Sequence, residues 1–119
     1  MLSTDCDART RDAIRALNDE LRHGLPRAKP GCRLVATRGV EPLTVAKVAA
    51  LVMAFREYGD FTPDNNPHGE HDFGAVEYDD VQYFWKIDAY DRSLEFASPD
   101  SADPAVTTRV LTIMRADEY

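Results

Sequence analysis

The side chains best suited to chemistry in this 119-residue chain fall within five positions, His68-Gly69-Glu70-His71-Asp72. His68, Glu70, His71 and Asp72 offer the nitrogen and carboxylate ligands that zinc, manganese or iron accept, which would make a metal-dependent hydrolase. The same residues offer a metal-free alternative, with His71 as general base, Glu70 or Asp72 orienting its ring and Arg38 contacting an anion. The spacing matches no strong signature. There is no His-Glu-x-x-His, and the His-x-Glu of zinc deaminases lacks its downstream cysteine pair. Asp64-x-Asn66-x-His68-Gly69 begins like a calcium loop, but Ala75 stands where a bidentate glutamate is required. No activated serine or cysteine lies beside the histidines. A purely architectural role competes with both chemistries. Thr62, Asp64, Asn65 and Asn66 are turn and capping residues, and His71 and Asp72 can tie such a loop into one shape.

Charge gives a third reading. The chain carries 21 acidic and 14 basic residues, a formal balance of −7. Eight of the acids, and no lysine or arginine, lie between Glu57 and Asp80, leaving 13 acids against 14 bases elsewhere. Such a local field repels nucleic acid and attracts basic protein surfaces. Asp60, Asp64, Glu70, Asp72, Glu77, Asp79 and Asp80 would form the surface, with Tyr90 as an aromatic anchor beside Phe61 and Phe73. Pro63 and Pro67 would stiffen it. Carboxylates in a row imitate the phosphates that a nucleic-acid-handling protein expects, and they exclude its true ligand.

The elements that must position these residues follow from periodicity. Residues 5–23 read as an amphipathic helix with Ala13, Ile14, Leu17 and Leu21 inward and Arg11, Arg15, Asp19 and Arg22 on other faces. Ser3, Thr4 or Asp5 would cap it, and Gly24 and Pro26 end it. Cys32–Thr37 reads as a short strand. Thr44 caps a second helix over 45–58, with Val45, Val48, Ala49, Val52 and Phe55 as its stripe and Gly59 as its left-handed stop. Residues 73–78 and 81–87 form a hairpin around Asp79-Asp80, in the register Tyr78–Val81, Val76–Tyr83 and Gly74–Trp85. After a turn at 88–92, Ser93–Ala97 reads as a further strand with Leu94 and Phe96 inward. Residues 106–115 fit either a helix or a central strand buried on both faces, and their β-branched content favours the strand.

The expected fold is one α+β domain over residues 1–119, with two amphipathic helices on one face of a four- to five-stranded antiparallel sheet. No apolar run approaches the roughly 18 residues of a membrane span, and the N-terminus lacks the pattern of a secretory signal. Cys6 and Cys32 read as free thiols in a reducing cytoplasm.

Several stretches together carry a family likeness: Asp60–Gly74, Phe84-Trp-Lys-Ile-Asp88 with Tyr90-Asp91, Arg109–Met114 with Glu118-Tyr119, Leu17-Asn-Asp19, and Thr37-Arg-Gly39. They resemble the bacterial family catalogued as domain of unknown function number 3768. At His68 that family commonly carries a tyrosine, which counts against this histidine as an obligatory ligand. The resemblance implies no activity, cofactor or catalytic residue. It implies a bacterial cytoplasm and frequent residence on mobile elements. Combined with the charge, it points to a small acidic inhibitor of a host-defence complex, of anti-CRISPR or antirestriction type. That reading needs no cofactor, no direct nucleic acid and no membrane. The metal-dependent hydrolase stays as its alternative.

Overall fold

A computed structural model describes the backbone from Leu2 to Tyr119 and the side chains from Ala8 onward. Helix α1 spans Leu2–His23 and helix α2 spans Val45–Glu57. Strands β1 (Cys32–Ala36), β2 (Phe73–Tyr78), β3 (Val81–Tyr90) and β4 (Thr108–Arg115) form one sheet in the order β1-β4-β3-β2. Cys32 is a free thiol, while Cys6 lies outside the described side chains.

The hairpin adopts the register read from its alternation, with Tyr78 opposite Val81, Val76 opposite Tyr83 and Gly74 opposite Trp85. Its tip is unusual in composition. Asp79 and Asp80 take φ of 56° and 62°, the two consecutive left-handed positions that a two-residue turn of matching twist requires and that Asn-Gly usually fills. One face of the sheet presents Tyr83, Trp85, Ile87, Leu111 and Ile113 to Leu21 of α1 and to Leu51, Val52 and Phe55 of α2. Both helices therefore cover the same face. The opposite face carries Phe73, Phe84 and Tyr119 in mutual contact, with ring centroids 4.9–5.9 Å apart.

Two expectations are corrected. The sheet is mixed rather than antiparallel, because β1 pairs parallel with β4, from Cys32–Arg109 to Ala36–Ile113. The cause is α2, which carries the chain back along the sheet so that β2 starts from the same end as β1; a helical crossover joins parallel strands. Residues 93–97 are not a strand. Strand β3 runs on to Tyr90, and the Asp91 carboxylate then gathers the Ser93 hydroxyl and the Glu95 and Phe96 amides into a turn. Only Ala97 bridges back, to Tyr90, and Phe96 is 69% exposed. Within 106–115 the favoured strand is present as β4, with Val110, Leu111, Ile113 and Met114 buried across both faces.

The ends of α2 also differ in kind. Thr44 caps the start as expected, its hydroxyl accepting from the Lys47 amide at 3.2 Å. At the other end Tyr58 is extended, and Gly59 does not adopt the left-handed stop. Arg22 of α1 takes the carbonyls such a cap would serve, as described next.

Candidate functional site

The loop 58–72 lies along one polar stripe of α1. Arg11, Arg15, Asn18 and Arg22 recur at helical spacing; Asn18 and Arg22 are buried under the loop, while Arg11 and Arg15 stay accessible beside it. Arg22 is only 2% exposed. Its Nη1 donates to the carbonyls of Phe55 (2.8 Å), Arg56 (3.2 Å) and Tyr58 (2.9 Å). The last carbonyls of a helix have no partner within the helix, and a cation there also complements its dipole. The guanidinium carbon sits 5.4 Å and 5.1 Å from the rings of Phe61 and Trp85, a range in which cation–π attraction adds to the hydrogen bonds.

Asp19 bridges outward from this centre. Its Oδ1 accepts from Arg22 Nη2 at 3.2 Å and lies 2.9 Å from His71 Nδ1. His71 stacks flat on Phe61, centroids 3.7 Å apart and planes within 4°. Its backbone is left-handed, φ 54°, and is held there by the Asn66 side chain, which accepts from its amide at 3.0 Å. Asn65 braces the first half of the loop by accepting from the Thr62 amide (2.8 Å) and donating to the Asp60 carbonyl (2.9 Å). The loop is cross-tied from inside and clamped by α1 from below.

Asn18, also buried, donates to the Glu70 carbonyl at 3.0 Å and accepts from Arg109 Nε at 2.8 Å. Arg109 reaches on to the Ser101 carbonyl. Glu70, Asp72 and Asp88 line a polar cleft of about 220 Å³ with these residues. Burial, followed by the neighbouring Asp72, raises the Glu70 carboxyl above its ordinary range. Burial likewise lowers the Arg109 guanidinium from its usual value, an effect opposed by Cys32 and Glu70.

This arrangement disperses the four residues read as metal ligands. His71 is committed to Asp19 and Phe61, Glu70 and Asp72 face the Arg109 cleft, and His68 lines a separate groove with Arg11 and Arg15. Among the described residues no group of three or more His, Cys, Asp or Glu side chains is placed to hold a metal ion. The residue orienting His71 is Asp19, not Glu70 or Asp72, and among the described residues the ring hydrogen-bonds to no hydroxyl or thiol. An Asp–His pair can hold a proton at Nδ1, but it needs a substrate or nucleophile at the other nitrogen to act as a base.

The acidic residues separate into two kinds. Glu70 and Asp72 turn inward. Asp60, Asp64, Glu77, Asp79 and Asp80 are exposed, and only Asp79 has an ion pair among the described residues, with Lys47 at 3.1 Å. In sequence Asp60 and Asp64 precede β2 and Asp79 and Asp80 follow it, while Glu77 stands on β2 itself, an edge strand of the sheet. Tyr90 is half-buried at the far end of β3, and Phe61 and Phe73 pack within the fold.

Sequence reasoning did not single out Asn18, Asp19 and Arg22, because polar residues on a helix read as its solvent face, nor Arg109, a buried arginine within strand β4. A signal was present: Arg11, Arg15, Asn18 and Arg22 keep the spacing of a buried stripe. Among the described residues no helix is long and apolar enough to cross a membrane. No curated protein and no solved structure matches the chain. A family model described as "Protein of unknown function (DUF3768)" does match, over residues 36–118, which take in α2, the loop, β2, β3 and β4, and the chain belongs to that family.

Proposed function

We propose that this is a small acidic binding protein that blocks a basic, nucleic-acid-handling partner through the edge of β2. The observation that carries the reading is the turn Asp79-Asp80. Two non-glycine residues occupy consecutive left-handed positions there, a conformation costing roughly 1 kcal/mol or more for each L-residue. Asn-Gly would fill the turn at lower cost. Asp79 makes only an exposed contact with Lys47, and such pairs contribute little to stability. Folding therefore gives no reason for two carboxylates at this tip, whereas a cationic partner does.

Size is consistent with one footprint. Strand β2 has six residues, so roughly 20 Å separates the end of the loop that bears Asp60 and Asp64 from the tip acids Asp79 and Asp80. A standard interface of about 800 Å² per partner is about 30 Å across and would span both groups. Glu77 lies between them. In a cytoplasmic setting on mobile elements, the partner would be a nucleic-acid-binding complex of host defence, held off its substrate by carboxylates standing in for phosphates.

The test is capture from bacterial lysate on immobilised wild type and on a variant carrying D60N, D64N, E77Q, D79N and D80N. Wild type should retain basic nucleic-acid-binding proteins that salt or added DNA releases, and the variant should not. Equal retention by both would remove the proposal. A second arm uses D79N/D80G, which should unfold at higher urea than wild type while binding its captured partner more weakly. A variant that is both more stable and equally tight would separate the turn from function.

A further inference from the structure

We propose that the groove between α1 and the loop is a binding site for a small phosphate monoester. Its charged lining is basic rather than acidic, so it does not depend on that reading. Arg11, Arg15 and His68 line it, with Phe61, Pro63 and Pro67 as an apolar wall, and it is an open groove of about 500 Å³. Ligand sites of small molecules commonly fall between about 300 and 1,000 Å³ and combine apolar walls with a few placed polar groups.

The polar stripe of α1 is used unevenly. Arg22 and Asn18 spend their donors on carbonyls of the fold. Arg11 and Arg15, one turn apart on the same stripe, bond only to Asp12 among the described residues, through Arg11 Nε at 3.2 Å and Arg15 Nη2 at 2.7 Å. One carboxylate thus orients two guanidiniums and leaves a positive excess with unused donors. Planar guanidinium forks match phosphate oxygens in pairs, which a lone ammonium cannot do.

The facing wall makes room for this arrangement. Gly69 has φ 68°, and a Cβ there would stand 3.0 Å from Arg11 Cδ. The Arg11 stem lies directly against the loop backbone at Gly69, which has no side chain to displace it. The loop itself is pinned by Asn65 and Asn66, so the groove is shaped before a ligand arrives and ordering costs at binding are small. The prolines and Phe61 favour an organic group attached to the phosphate over inorganic phosphate alone.

The experiment is an amide NMR titration of the full chain with inorganic phosphate and with phenyl phosphate, against sodium chloride at matched ionic strength. Saturable shifts should centre on Arg11, Arg15, His68 and Gly69, with phenyl phosphate binding at least about threefold more tightly. R11A/R15A, exposed substitutions to a stronger helix former, should lower affinity at least about tenfold. G69A should weaken binding with both arginines still present. The proposal is overturned by absence of saturation at about 20 mM phenyl phosphate. It is equally overturned by chloride reproducing the shifts, or by R11A/R15A binding as wild type does.

Discussion

Replacing Arg22 with methionine tests whether the loop is held from the helix beneath it. The substitution keeps an unbranched side chain of similar length and removes three hydrogen bonds to the carbonyls of Phe55, Arg56 and Tyr58, together with the contact to Asp19. Hydrogen bonds from a charged donor contribute about 1.5–3 kcal/mol each, and their loss is not additive around one guanidinium. Arg22 Nε is buried without a partner, a penalty of about 1 kcal/mol or more that methionine relieves. The net cost should be about 4 kcal/mol, within the range for breaking a buried charged group out of its network. Against a total stability of roughly 5–15 kcal/mol this is a large fraction. Equilibrium urea unfolding should show a lower midpoint with an unchanged slope, and the melting temperature should fall by about 15 °C. The amides of residues 59–71 should exchange faster than those of β3 and β4, because the clamp acts on the loop first. A loss below about 1 kcal/mol, or loop protection equal to wild type, would refute the idea that Arg22 organises this region.

Two further substitutions probe the sheet and the polar cleft. In G74A the new Cβ would stand 2.6 Å from Trp85 Cε2 and 2.8 Å from Cζ2, so the buried indole must move at a cost of about 2 kcal/mol. Urea unfolding followed by tryptophan fluorescence reads both the loss and the shifted ring, and a change under about 0.5 kcal/mol would contradict the packing. Glu70 has a carboxyl raised by burial and by Asp72, so its ionised form is tolerated less well in the folded chain than in the unfolded one. The stability it contributes is complete below the ordinary carboxylate value of about 4.3 and is lost as pH rises through the raised value. E70Q should therefore melt above wild type at neutral pH and level with it near pH 3.5. A melting difference that does not change with pH would show that the effect is not titration of this carboxyl.

Much of the fold was legible where one neighbour or one alternation decides it. Thr44 precedes a helical stripe, and its capping bond is local. The hairpin register follows from Gly74 opposite Trp85, because a bulky ring beside a residue without a side chain leaves few other pairings. The parallel pairing of β1 with β4 joins residues 77 positions apart, Cys32 and Arg109, and nothing local encodes it. Residues 93–97 carry the alternation of a strand, yet the carboxylate of Asp91 offers the amides of Glu95 and Phe96 a nearer partner than another strand. Side-chain competition for backbone amides is common at aspartate, and it won here.

The site was half legible for a different reason. The composition of the loop announces that it is shaped and exposed, and Asn65 and Asn66 do shape it. What shapes it from below is a stripe of charged residues that propensity alone assigns to water. Burying Arg22 costs desolvation that only several hydrogen bonds offset. Such a site can exist only where backbone carbonyls lack partners, and the C-terminal turn of α2, which has no left-handed glycine to close it, supplies them. The missing glycine cap and the buried arginine are thus one feature seen from two elements: Gly59 is free to lead into the loop because Arg22 ends the helix. It follows that α1 is divided along its length. Asn18, Asp19 and Arg22 hold the loop from inside, whereas Arg11 and Arg15, nearer the N-terminus, bond among the described residues only to Asp12 of their own helix. A polar stripe that served architecture alone would end where the carbonyls end. This one continues for about two turns more, from Asn18 to Arg11.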